Sequence, residues 1–478
     1  MDYKTSKHFF TNQRERLLQE FFNVLESDVK NSFIIEIEHN EVMEMPINNV
    51  IDQIVDYMAQ MYIRDQENIC DMFNPSSEAL LCSTLNYILY LFSNMEMVPF
   101  QVICDLHFVE FVSWILIQCN HNSQFIYDAL KVFSCIYKLQ ITDQVLNTMI
   151  YIFPQLKSEE SYIRKLALNV IGDFFEYNLK VGIFLLNYDG VISDILFISK
   201  ETKYELVCSQ ALLFLRSLLY HTIFDQEFGD QVPPELVEQI IKLALPHLSR
   251  SRPNLTSAAI KILQTVSLNL NMLTIAKKNG IDSSIIKGLT CVESSQIIEI
   301  YKIIRNILNF ASKGEIQTNI ITNGVFFKKT AELLKKVDQN CLGVILSTID
   351  ILGRDFWITF FKYDVLDSLI EIINKTDYIN KKHIVSILLH FFEDVNVSFR
   401  RKYCTHAVIE QFVSMLDDDD SVFCFELVQA LSTLYYDDGE YFRPILIELE
   451  FGQCLFNLST HVDSQLAQLA ENIYNHLD

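Results

Sequence analysis

A unit of about 43 residues recurs along this chain, and no other feature narrows its fold as far. Gly190, Gly280, Gly324 and Gly452 each precede a similar apolar pattern, at separations of 90, 44 and 128 residues, close to two, one and three units. Pro233, Asp364 and Ala407 fill the missing slots, and the same step backwards lands near Met149 and His107. After the slot, VISDIL (191–196), IDSSII (281–286), VLDSLI (365–370) and VIEQFV (408–413) place apolar residues at the first, fifth and sixth positions. That is helical spacing with one buried face. A polar break follows, such as KSEES (157–161), SRSRPN (249–254) or DDDDS (417–421). A second amphipathic helix comes next: IRKLALNVIGDFF (163–175), AAIKILQTVSL (258–268) or LVQALSTLYY (427–436). Leu168, Ile171, Phe174, Leu431 and Leu434 are its expected core positions.

Helices this short bury too little surface to hold alone, so stacked copies must share one core. About ten units fit between residue 47 and the C-terminus without a linker-like break, which predicts an all-α, right-handed superhelical solenoid over 47–478. The segment 1–46 is expected to form an N-terminal helical cap or arm. Within it, NQRERLLQEFFNVLES (12–27) reads as an amphipathic helix covering the first unit, with Leu17, Leu18, Phe21 and Phe22 on its apolar side. Only 12 Gly and 9 Pro argue against a turn-rich β fold and against Gly-rich phosphate loops. The 35 Phe and 21 Tyr are expected mainly as packing between units, with some exposed as anchors for a partner.

The segment YIFPQLKSEESYIRKLALNVIGDFFEY (151–177) resembles an armadillo repeat: an apolar-Pro-x-Leu second helix, a Ser/acidic turn, then a long third helix. AVIEQFVSMLDDDDSVFCFELVQALSTL (407–434) resembles it equally. The similarity extends over 47–478 and is weakest at the ends. HEAT repeats, which differ mainly in the first helix, are the alternative. About ten armadillo units behind a short N-terminal segment is also similar to the layout of the importin-alpha nuclear import adaptors.

That resemblance implies a concave groove lined by third helices. In the family a Trp and, four residues on, an Asn hold the cationic side chains and the backbone of a basic peptide. Aligned by their buried positions, the Trp-like places here hold Lys131, Asn169, Leu213, Lys261, Lys302, Ser347, Ser386 and Gln429. The Asn-like places hold Cys135, Asp173, Ser217, Thr265, Asn306, Ile351, His390 and Thr433, and the last unit offers Gln468 and Asn472. Asn306 and Asn472 match the family pattern. No Trp does, because Trp114 and Trp357 fall off the ladder, and three Lys stand where a basic peptide would be repelled. The groove candidates are therefore Lys131, Asn169, Asp173, Lys261, Lys302, Asn306, His390, Gln429 and Asn472. The family's strongly basic N-terminal arm is matched only by Lys4, Lys7, Arg14 and Arg16, with Glu15 and Glu20 interspersed.

With 38 Lys+Arg against 61 Asp+Glu, the net charge of −23 disfavours direct nucleic-acid binding and steers basic protein or peptide partners toward the chain. Asp437, Asp438 and Glu440 in YYDDGEYF (435–442) form a candidate acidic docking patch. The 11 Cys are scattered without a C-x-x-C pair, which suits reduced thiols. The N-terminus lacks a signal-peptide core, and no uninterrupted apolar run approaches the roughly 20 residues of a membrane span. A cytoplasmic and/or nuclear location without membrane insertion is expected. The 11 His show no metal-ligand spacing. His383 and His390 read as surface or groove-edge histidines, Cys404 and His406 as side chains that point apart, and Asp417 to Asp420 as a helix-capping turn. No catalytic residue, metal or cofactor is expected. The function expected is a non-enzymatic scaffold that binds an extended peptide along the concave groove, an import adaptor being its narrowest form. The alternative is a regulatory or chaperone-type subunit that docks on a folded protein through its convex face or loop patches.

Overall fold

The computed structural model describes residues 112–113, 115–116, 123–136, 146, 149–249, 252–291, 294–336, 339–395 and 397–477. The cap 1–46, its helix 12–27, the His107 slot and Trp114 lie outside the described residues. The described residues form an α-solenoid, with no strand among them. The chain divides into two compact units, Met1–Leu236 and Val237–Asp478.

The last helix of each repeat is labelled in chain order. Unit 1 holds α1 (Ser123–Ile136), α2 (Ser161–Tyr177) and α3 (Glu205–Phe224). Unit 2 holds α4 (Pro253–Val266), α5 (Ser294–Ser312), α6 (Gln339–Leu352), α7 (Tyr378–Asp394), α8 (Ser421–Asp437) and α9 (Ser464–Tyr474). Before α3, a first helix Leu179–Asn187 and a second helix Val191–Ile198 complete the three-helix unit implied by the armadillo resemblance. The same order recurs before α5, α7, α8 and α9. Within each unit, consecutive third helices pack on one another. The expected core positions Leu168, Ile171, Phe174 and Leu431 are fully buried, and Leu434 nearly so.

Entry into the second helix alternates from repeat to repeat. Gly190, Gly280, Asp364 and Glu450 take left-handed φ values of 85°, 84°, 59° and 57°, at separations of 90, 84 and 86 residues, close to two units each. The slot of the last repeat is therefore Glu450 rather than Gly452, and it places the buried Phe451 and Leu455 at its first and fifth positions. At the two acidic residues the left-handed backbone stores strain of about 1–2 kcal/mol. Gly324 has no positive φ. Asn323 caps that helix, its side chain accepting from the Val325 amide at 2.9 Å, while the Tyr363 ring packs where a Gly324 side chain would stand. The proline-containing stretch before α2 forms two 3-10 segments, Met149–Tyr151 and Phe153–Lys157, instead of the α-helix expected there. Pro154 lacks the amide that would donate back into a helical turn.

Along one edge of unit 2, the start of a third helix bonds to the turn before the next. Gln339 Nε2 donates to the Lys375 carbonyl at 3.2 Å, the Tyr378 hydroxyl donates to Asp418, and Ser421 Oγ donates to Asp463 at 3.0 Å. In unit 1, Arg164 of α2 pairs with Glu201 in the turn before α3 at 2.5 Å. α3 is long and apolar enough to cross a bilayer, yet Cys208, Ala211, Leu212, Leu215 and Leu219 on it are fully buried inside unit 1.

Candidate functional site

The ladder residues recur along the third helices, and the fold treats them differently from one repeat to the next. On α4 and α5 they bind their own neighbours. Gln264 donates to Glu299, Lys302 pairs with Glu299 at 2.6 Å, and Asn306 Nδ2 donates to Ser267 Oγ at 2.9 Å. Burial pushes the Glu299 carboxyl up, but its bonds to Lys302 and Gln264 outweigh that and hold it below the carboxylate range. Lys261 stays exposed. Thr265 and Ser217, at Asn-like places, are buried and bonded to the Lys261 carbonyl and to Glu176. Towards the C-terminal end the ladder opens: His390 is half-buried, and Gln429, Gln468 and Asn472 are exposed.

In unit 1 the face of α1–α3 carries a different chemistry. Lys131 lies over the Tyr127 ring at 4.4 Å, and Tyr127 meets Tyr162 of α2 edge-on at 5.5 Å. One turn apart on α2 stand Asn169 and Asp173, both half-buried. Asn169 Oδ1 is shut off from solvent without a hydrogen-bond partner. The Asp173 carboxyl is pushed up to about 6, by burial first and by the neighbouring Glu176 second, with neither a hydrogen bond nor a cation to offset them. Glu176 accepts from Ser217 Oγ at 3.0 Å. Beyond this acceptor group Tyr177 and Phe224 are each 61% exposed, and the Tyr220 ring meets Phe224 at 4.5 Å, tilted by 41°. The Arg216 guanidinium lies 5.1 Å from the Tyr220 ring centre.

A raised folded-state pKa means that the fold prefers protonated Asp173. Its contribution is fully favourable below the unfolded carboxylate value and is lost as pH climbs to about 6. Asp173→Asn is expected to stabilise the protein at pH 7 by about 1 kcal/mol, a figure discounted because the group is half exposed. Urea midpoints at pH 4.5 and 7 check this. A variant that keeps the wild-type pH slope contradicts it.

The acidic run 435–442 is largely engaged. Arg400 reaches Asp437 at 2.7 Å, and Arg401 grips the Asp438 carboxylate through two bonds of 2.6 Å. Hydrogen bonding from Arg401 holds Asp438 below the carboxylate range. Of the three patch candidates Asp438 is buried, while Asp437 and Glu440 are exposed, and Glu440 makes no ion pair. In the Asp417–Asp420 turn, Asp420 caps α8 through the amides of Val422 and Phe423, both at 3.2 Å. His383 approaches Asp350 at 3.9 Å, and no group of three His, Cys, Asp or Glu among the described residues could hold a metal. Trp357 is buried against Phe360 and Phe391.

Sequence reasoning expected some exposed aromatics but did not say which. Tyr177, Tyr220 and Tyr436 stand three or four residues beyond the Asn-like Asp173, Ser217 and Thr433, so one more helical turn of the same register would have reached them.

No family model and no curated protein matches the sequence. An engineered protein of known crystal structure superposes with a TM-score of 0.56 at 16% identity, over 84% of this chain and 96% of its own. That likeness is one of fold. A designed armadillo repeat protein is similar at a TM-score of 0.41 and 15% identity, over 50% of this chain and 100% of its own. A second, solved in complex with the peptide (KR)4, is similar at 0.40 and 17%, over 49% of this chain and 99% of its own.

Proposed function

We propose that this protein is a non-enzymatic scaffold that binds an extended protein or peptide segment across the faces of its third helices. The observation that carries the reading is the α2–α3 face. There the half-buried Asp173 carboxylate has neither a hydrogen bond nor a cation to offset its burial, one turn before exposed Tyr177, and Phe224 on α3 is exposed as well. An unpaired carboxylate on a face that carries exposed aromatic rings suits a cationic side chain, which rings hold by their faces and carboxylates by charge. An import adaptor of the importin-alpha kind, working between cytoplasm and nucleus, is the narrow form of this reading.

Fluorescence anisotropy of the whole chain with (KR)4 and with a bipartite basic localisation peptide tests both levels, at physiological salt so that long-range attraction is screened. Asp173→Lys combined with Phe224→Ala is expected to weaken (KR)4 binding at least about tenfold, by removing one charge contact and one aromatic contact. Unchanged affinity in a variant with wild-type helicity would defeat the scaffold reading at this face. A bipartite peptide bound no better than its charge-matched scramble would remove the adaptor form alone.

A further inference from the structure

The stapled edge of unit 2 leaves three aliphatic side chains in water. Ile379 is 80% exposed, Val422 67% and Val462 100%. They come from successive repeats, and each is the sequence neighbour of a residue that bonds the next or the preceding repeat: Tyr378 to Asp418, and Ser421 to Asp463. Those bonds hold the starts of the three repeats side by side, and packed third helices lie about 8–10 Å apart, so one segment lying across them can reach all three side chains. Covering them returns about 25 cal/mol for each Å² removed from water.

Of the charges near these side chains, Lys381 is taken up by Gln411 Oε1 at 2.7 Å, and two carboxylates are left over. Lys382 is saturated by Asp418 at 2.7 Å and Asp420 at 3.2 Å, with its ammonium 4.8 Å from the Phe423 ring centre. Asp418 and Asp420 are thereby tied to the fold. The alternate residues Asp417 and Asp419 are exposed, and neither is ion-paired.

We propose that this edge docks an amphipathic segment of a protein partner, its apolar residues covering Ile379, Val422 and Val462 and its Lys or Arg residues pairing with Asp417 and Asp419. The surface is built from the starts of α7 and α8 and the turns before α8 and α9, so it does not depend on the α2–α3 face.

The probe is a labelled helical peptide of leucine and lysine with the leucines on one face, titrated into the full chain at physiological salt. Two comparison peptides accompany it, one with serine for leucine and (KR)4. Ile379→Ser with Val422→Ser, and separately Asp417→Asn with Asp419→Asn, change only exposed groups, leave the staples and the α8 cap in place, and should keep wild-type helicity by circular dichroism. Each pair is expected to weaken the leucine–lysine peptide about tenfold or more and to leave (KR)4, whose contacts lie on the α2–α3 face, unchanged, and the serine peptide should bind at least about tenfold more weakly than the leucine–lysine peptide. No binding of the leucine–lysine peptide, equal binding of the serine peptide, or a loss confined to one of the two variant pairs would overturn the proposal.

Discussion

Replacing Phe327 by alanine is expected to destabilise unit 2 by about 3–5 kcal/mol, the range for emptying a buried aromatic site. Phe327 is fully buried in the second helix Gly324–Leu334. Its ring meets Phe326 at 5.0 Å, Phe360 and Tyr363 at 5.8 Å and Phe356 at 6.3 Å. Four of these rings cannot collapse into the space that one of them vacates, because each is fixed by its own helix or turn. A solenoid holds each repeat only through its neighbours, so the damage should spread locally. Urea unfolding should show a lower midpoint, and hydrogen exchange should show lost protection around Gly324–Leu334 and Trp357–Lys362 before α9 is affected. A loss below about 1 kcal/mol would mean that the cluster repacks, contrary to the rigidity assigned to it.

The second large effect is expected at Gly182, in the first helix Leu179–Asn187. A methyl group there would stand 2.6 Å from the Phe228 ring and closer still to the Phe175 ring, and both rings are buried. Alanine should gain the helix about 1 kcal/mol in propensity. Overpacking against two fixed rings costs about 1–3 kcal/mol, and the larger values apply when the clash is with packed rings rather than flexible ends. The net expectation for Gly182→Ala is destabilisation of unit 1. Gly172→Ala is the control, because its methyl would meet only Phe214, at an ordinary 3.8 Å. That change should be neutral or stabilising by up to about 1 kcal/mol. The thermal midpoint should fall for Gly182→Ala and stay or rise for Gly172→Ala, and a Gly182→Ala variant as stable as wild type would disprove the close packing.

The distinction between these two glycines was not available from the sequence, where both are isolated glycines inside helical patterns. The same holds for the acidic runs. In DDDDS and YYDDGEYF every carboxylate has the same local claim to solvent. Lys382, Arg400 and Arg401, which settle the matter for Asp418, Asp437 and Asp438, are 36 or 37 residues away in the chain. The ladder of third-helix residues was legible because a helix repeats its faces every turn. Which rungs bind a neighbouring repeat, as Asn306 does, and which stay unpartnered, as Asn169 Oδ1 does, was not.

By itself the sequence determined the all-α class, the repeat of about 43 residues, the two amphipathic helices that follow each slot and their buried positions. All of these follow from local periodicity, which the chain carries residue by residue. The tertiary structure alone decided the division at Leu236, the left-handed entry at Asp364 and Glu450, the pairing of the acidic turns and the aromatic exposure on α2 and α3. Each of these depends on which side chains of neighbouring repeats meet, and repeats about 43 residues apart are brought together only by stacking.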